Sequence, residues 1–231
     1  MPHLGTNGLL HSLPASERNA IISLGREVPL KSGLVICQAD APIEDVYFPL
    51  SGVISLMVDL EAGGSVESVT VGNEGFFGIE VAYGDGKAPM LSIAQAAGEA
   101  ICISADDFRD HFREWPALQG LLGRYSTVML QMVAQSAACN RYHQVDQRMA
   151  RWLLIMEDSA GSEFQLTQEF MAAMLGTHRP SVTIAARRLS DAGLITYKRG
   201  NMHVLDRPGL EAAACECYRT IRARIERLSP D

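Results

Sequence analysis

The sequence lacks any stretch of eighteen apolar residues, so no transmembrane helix is expected. Met1–Leu10 has no basic n-region and carries Gly5, Asn7 and Gly8, which does not read as a secretory signal; a cytoplasmic protein is the expectation. Cysteine is sparse and irregular: Cys37, Cys102, Cys139, Cys215 and Cys217 make an odd set with no C-x-x-C pair. A disulfide framework is therefore unsupported. Positive charge is scarce in the front of the chain. Residues 1–140 carry 7 Lys and Arg against 16 Asp and Glu, a balance that repels phosphate. Nor does any spacing organise a nucleophile, a base and an orienting group. Glu74, Glu80, Asp85, Ser92 and His111 read as solvated loop residues, and no enzyme is expected.

What is present is 231 residues of 47% hydrophobic content, enough for a sizeable core in one large or two modest domains. Leu9 to Leu24 reads as a helix started by Pro14. From Val28 to Ile103, short apolar runs alternate with turn signals: Ser32-Gly33, Asp40 to Pro42, Ser51-Gly52, Gly63-Gly64 and Gly84 to Gly86. That pattern predicts an antiparallel β-roll or jelly roll. Ala105 to Phe112 reads as a helix capped by Ser104, and Pro116 opens a long helix to about Arg141. Along it Leu118, Tyr125, Met132 and Cys139 recur every seven residues, with Leu121 and Val128 between them and Leu122 and Met129 beside them. Leu118, Leu121, Leu122, Tyr125, Val128, Met129 and Met132 are thus the candidate seam of a two-helix dimer contact; packing on the chain's own domain is the alternative. Val145 to Met156 reads as a further helix.

Residues 164–205 carry the chemistry. Thr167 stands at a helix N-cap before Gln168, and Gly176 stops that helix as a glycine beyond a C-cap does. Thr177 and His178 lead into a second helix with Pro180 in its first turn and Val182, Ala185, Ala186 and Leu189 on its inner face; Gly193 ends it. Helix, glycine turn and helix at this spacing make a helix-turn-helix. Leu194–Lys198, a turn at Arg199-Gly200-Asn201 and Met202–Leu205 add a β-hairpin wing. Charge follows the motif: residues 176–207 hold six Arg and Lys against two Asp. The second helix would enter the major groove of double-stranded DNA amino end first, with His178, Arg179, Ser181 and Thr183 toward base edges. Arg179 has the fork that matches guanine O6 and N7. Thr167, Gln168 and Thr177 suit phosphates near the helix starts, Lys198 and Arg199 grip phosphate from the wing, and Arg187 is a backbone contact or a surface charge.

The whole chain resembles the Crp/Fnr family of transcription regulators. The resemblance runs through Val46-Tyr47-Phe48-Pro49-Leu50-Ser51-Gly52-Val53, Gln135 to Arg141 and Gln147 to Leu154. It is strongest over Leu166 to Glu169, Arg179 to Thr183 and Gly193-Leu194-Ile195. It implies an α+β chain: a cyclic-nucleotide-binding-like β-roll over 1–113, a dimerisation helix over 114–143 and a winged helix-turn-helix over 144–231. It also implies a homodimer with RNA polymerase as a further partner. Two departures stand out. Cyclic-nucleotide-binding members carry Gly-Glu and Arg-Ser or Arg-Thr around a turn, whereas this chain reads Gly78-Ile79-Glu80 and Met90-Leu91-Ser92, with Lys87 the only nearby cation. A buried phosphate needs a paired cation, so those six residues outline an effector pocket for a small molecule other than cyclic AMP. The recognition helix opens Arg179-Pro180, with Ile184 where cyclic-AMP-responsive members place a second arginine. No cysteine precedes Cys37, which argues against the iron–sulfur members.

No cofactor and no metal is expected. Cys215 and Cys217, two apart on an apparent helix from Gly209 to Leu228, point to different sides and read as buried thiols. Cys139 and His143 read as a seam cysteine and a surface histidine, with a shared Cys2His2 site across a two-fold axis as the sharper alternative. Two other functional readings stay open: a metal- or haem-dependent sensor, and a cyclic-nucleotide module with an altered phosphate grip.

Overall fold

The computed structural model describes residues 4–61 and 63–228; Met1 to His3, part of the segment read above as no leader, lie outside the described residues. The alternating runs of the front half become β1 Arg26–Leu30, β2 Val35–Cys37, β3 Asp45–Pro49, β4 Val53–Asp59, β5 Ser65–Val71, β6 Leu91–Ala96 and β7 Gly98–Ser104. They form two antiparallel sheets, β1-β7-β3 and β2-β6-β4-β5, that close around one core. Val46 and Phe48 alternate into that core from β3, as half-buried strands do. β4 differs, with five consecutive buried residues. Ile54 and Leu56 face the roll, while Val53 and Met57 join a second core on the other side.

The helix read from Leu9 to Leu24 is two, α1 Gly8–His11 and α2 Ala15–Leu24, because Pro14 has no amide to continue the first. A short α3, Ile79–Tyr83, lies in the glycine-rich stretch, and α4 Ala105–His111 is capped by Ser104, whose Oγ accepts from the Asp107 amide. α5, Pro116–Tyr142, spans ~40 Å at 1.5 Å per residue. The Glu17 carboxylate accepts from the amides of Ala117 and Leu118, both at 3.0 Å, placing a negative charge at its amino end.

The seam on α5 requires correction. Leu118, Leu121, Leu122, Tyr125, Val128 and Met132 are no more than 8% exposed and lie in the roll's own core, with Met129 packed against it. The seven-residue spacing marks an apolar face but does not say what covers it. The opposite face presents exposed Gly120, Gly123, Thr127, Leu130, Ala134 and Ala137 at alternating spacings of three and four.

α6, Val145–Ala160, runs four residues beyond the predicted end. After it come β8 Glu163–Gln165, α7 Gln168–Met174, α8 Arg179–Asp191, β9 Ile195–Lys198, β10 Asn201–Val204, α9 Arg207–Ala213 and α10 Cys217–Glu226. The helix expected from Gly209 to Leu228 is therefore broken at Ala214, whose backbone is extended. Cys215 stands off the helix, so the argument that Cys215 and Cys217 diverge fails. Together with Cys139 and His143, their ligand atoms lie within 4.8 Å of one another, a grouping that sequence spacing alone did not bring together.

The inward face of α5 makes a direct prediction. Leu122→Ala should destabilise the fold by roughly 2–5 kcal/mol through lost burial and a residual cavity, read as a shift in the urea midpoint. A change below about 0.5 kcal/mol would show that Leu122 does not hold the roll core.

Candidate nucleic-acid interface

The reader is built on α8. Its apolar face, Val182, Ala185, Ala186 and Leu189, is buried in the second core with Met149, Trp152 and Leu153 of α6. Sealing that face turns the other outward. Thr167 caps α7, its Oγ1 accepting from the Phe170 amide at 3.1 Å. Gly176 takes a left-handed φ of 53°, and the Thr177 amide bonds back to the Ala172 carbonyl at 2.9 Å, closing the helix end. A Cβ at Gly176 would also stand 2.9 Å from the Val66 side chain on β5, so the turn between α7 and α8 rests against the roll.

All ten residues assigned to DNA lie outside the cores. Thr167, His178, Arg179, Thr183, Arg187, Lys198 and Arg199 are exposed, and Gln168, Thr177 and Ser181 are half-buried. Arg179 occupies the first turn of α8. Its guanidinium donates to Glu169 Oε1 at 2.7 Å and to Gln168 Oε1 at 3.4 Å, which aims it along the amino end. Thr183 Oγ1 donates to the Arg179 carbonyl at 3.1 Å. Arg199 and Gly200 both have positive φ, 50° and 82°, the two-residue turn that a right-twisted hairpin requires. That turn presents Lys198 and Arg199 at the wing tip. Tyr197 anchors the wing by donating to the Leu166 carbonyl at 3.0 Å.

Three features escaped the sequence reading. β8 is only three residues long, yet it pairs with β10 and makes the wing a three-stranded sheet, β8-β10-β9. Arg207, counted among the basic residues, is committed inward to Glu157 at 3.1 Å and Asp158 at 2.6 Å. Arg188 pairs with Asp146 of α6 at 3.4 Å. The cations left for phosphate are those at the start of α8, along its outer face and at the wing tip.

Of the expected effector-pocket residues, Gly78, Ile79, Glu80, Met90 and Ser92 do line one cavity in the roll, with Phe76 and Met129. Leu91 turns to the other side of its strand and packs against the second core. The cavity volume is about 20 Å³, room for a water and not for a nucleotide. Among the described residues no Lys or Arg lines it, Lys87 is exposed, and burial holds the Glu80 carboxyl above its ordinary value. These residues do not fit a cyclic nucleotide phosphate.

The roll meets the reader through Glu67 on β5. Its carboxylate accepts from Ser55 Oγ at 2.7 Å and from Trp152 Nε1 of α6 at 3.1 Å, and Ser55 also bonds the buried Gln95.

Residues 27–114 match the family model described as cyclic nucleotide-binding domain, and residues 147–213 match the one described as Crp-like helix-turn-helix domain. FixK2 from Bradyrhizobium japonicum superposes with a TM-score of 0.65 at 16% identity, covering 83% of this chain and 98% of that one. A crp/fnr-family transcriptional regulator, described as putative, from Eubacterium rectale gives 0.65 at 18% identity, covering 89% and 96%. A CRP/FNR-family transcriptional regulator from Thermus thermophilus gives 0.60 at 21%, covering 82% and 98%. A comparison with curated protein sequences found no match. A cyclic-nucleotide-binding-type roll followed by a winged helix-turn-helix defines a DNA-binding transcription regulator. With both domain types matched in that order, the chain belongs to the Crp/Fnr family.

Burial pushes the Glu67 carboxyl up to about 7, against the opposing pull of Ser55, Arg151 and Trp152. The folded chain keeps a proton there that the unfolded chain sheds near pH 4–5, so this contribution to stability is full below that range and is lost as pH rises through about 7. Glu67→Gln should therefore gain in melting temperature over the natural chain as pH rises from about 5 to about 7. A difference that stays constant across that window would show that Glu67 titrates normally.

Proposed function

We propose that this regulator binds a two-fold-related site on double-stranded DNA as a homodimer. Each α8 lies amino end first in the major groove, while the wing and the start of α7 grip phosphates. The observation that carries this reading is the open amino end of α8, with Arg179 at its first turn and its apolar face sealed against α6. The Arg179–Glu169 pair is exposed on both sides, so exchanging it for guanine costs about 0–1 kcal/mol. The division is roll 1–113, dimerisation helix 114–143 and reader 144–231. The dimer contact uses the exposed stripe of α5, where Gly123, Ala134 and Ala137 allow close approach and Leu130, 70% exposed, is the one large apolar residue. The protein works in the cytoplasm with RNA polymerase as a further partner, and any effector of the roll is smaller than, or chemically unlike, cyclic AMP.

The test begins by selecting the bound site from random duplexes. Arg179→Ala should lose about 1–3 kcal/mol of discrimination at its guanine and relax preference there. Lys198→Ala should weaken binding to every duplex alike and lower the salt slope by about one phosphate. Equal, sequence-independent losses for both variants would refute the groove assignment.

The dimer contact has its own measurement. Leu130→Glu should shift the chain from dimer to monomer in sedimentation while leaving its circular dichroism unchanged. Persistence of the dimer at micromolar concentration would place the contact elsewhere.

A further inference from the structure

We propose that Cys139, His143, Cys215 and Cys217 form a tetrahedral site for one thiophilic divalent ion of the zinc class, which ties the C-terminal helices to the hinge between α5 and α6.

The spacing is that of a single ion. Cys139 Sγ and Cys215 Sγ are 3.6 Å apart, and Cys217 Sγ is 3.5 Å from His143 Nδ1. Zinc holds sulfur at about 2.3 Å and imidazole nitrogen at about 2.0–2.1 Å, so a tetrahedron has sulfur–sulfur edges of about 3.8 Å and sulfur–nitrogen edges of about 3.6 Å. With all four atoms within 4.8 Å, there is room for one ion and none for a multi-iron cluster.

The surroundings suit the ion. His143 presents Nδ1 to Cys217 and sets Nε2 3.2 Å from the Glu216 carboxylate, the outer partner that orients a ligating imidazole. Gln135 Nε2 donates to Cys217 Sγ at 3.1 Å. The three cysteines are buried as a small cluster separate from both cores. Three thiolates and a neutral histidine around a divalent ion leave one negative charge. Arg148 and Arg151, each 7% exposed, lie within electrostatic reach of these sulfurs, and the Nε of each is buried without a hydrogen-bond partner among the described residues. Arg148 also donates to Asn140 Oδ1 at 2.7 Å and to the Leu175 carbonyl, and Arg151 also faces Glu67; an anionic metal centre adds opposite charge beside both guanidinium groups. Binding releases up to three thiol protons to solvent and needs no oxidant.

The location gives the site a consequence. Cys139 is in the last turn of α5, His143 is its C-cap, and α6 starts two residues later. Cys217 opens α10 and Cys215 lies just before its N-cap, Glu216, so the ion pins the start of α10 across the α5–α6 connection. This consequence rests on the DNA-binding reading: the hinge sets how the two α8 helices of a dimer are spaced.

The test uses the full chain, reduced and stripped of metal. Titration with cobalt(II) should give one ion per chain, with thiolate-to-cobalt charge transfer and the visible bands of tetrahedral cobalt, both abolished by zinc. Cys215→Ser should weaken the ion at least tenfold and lower the charge-transfer intensity. Glu216→Gln, which leaves the core intact, should weaken it about tenfold while keeping the spectrum. An octahedral cobalt spectrum in the folded chain, or a Cys215→Ser variant indistinguishable from the natural chain, would overturn the site. Zinc-loaded and metal-free chains should differ about tenfold in affinity for the selected duplex; equal affinities would overturn the hinge coupling. A tetrahedral cobalt centre in a chain that binds no duplex would uphold the site and sink the DNA reading. Sequence-specific binding without such a centre would do the reverse.

Discussion

The structure depends on α6 being buried almost all round. From Arg148 to Leu154 every residue is buried, although the run contains two arginines. A helix buried on all sides cannot serve one domain only. Met149, Trp152 and Leu153 share a core with the inner face of α8, and the same core takes in Val53, Met57 and Ala96 from the roll. Because α6 fixes α8 by its apolar face, it also decides which side of α8 faces outward. The reader's geometry is thus a consequence of packing between the two halves of the chain.

That packing also explains how a chain of net charge −7 can approach DNA. The roll is acidic, and several cations of the reader are engaged internally: Arg148 and Arg151 buried on α6, and Arg207 on Glu157 and Asp158. What remains outward is concentrated at the start of α8 and the wing tip. Surface charge decays within about 10 Å at 0.1 M salt, so a phosphate at the wing feels Lys198 and Arg199 far more than it feels the roll.

Much of this was legible in the sequence, because most elements carry local signals. The strands announce themselves by alternation between glycine turns. The reader does so by Thr167 at an N-cap, Pro180 in a first turn, and Gly176 and Gly193 at positive φ, each a residue type its position favours. The failures have a common cause: a local pattern does not name its partner. The heptad of α5 identified an apolar face, and the roll turned out to cover it. The break at Ala214 carries neither glycine nor proline, so Cys215 was placed on a helix it does not join. Cys139 and His143 could be placed on one helix face as i and i+4, but the cysteines that stand beside them come from the same chain, Cys215 being 76 residues after Cys139, a closure that only the tertiary fold supplies. Five of the six residues expected at a pocket in the roll do line one cavity there. Its small volume was not readable, since side chains that close it, Leu56 of β4 and Met129 of α5 among them, come from other elements.

The two faces of α5 join these observations. Met129 lines the roll cavity, and its neighbour Leu130 stands on the exposed stripe of the proposed dimer contact. A close-packed interior transmits displacement because it has little free volume to absorb it. Met129 is therefore the point at which the lining of the cavity of about 20 Å³ and the long helix α5 meet. The helix face that keeps the roll intact and the stripe proposed for the dimer contact are thus two sides of one element, and α5 passes directly through His143 into the start of α6.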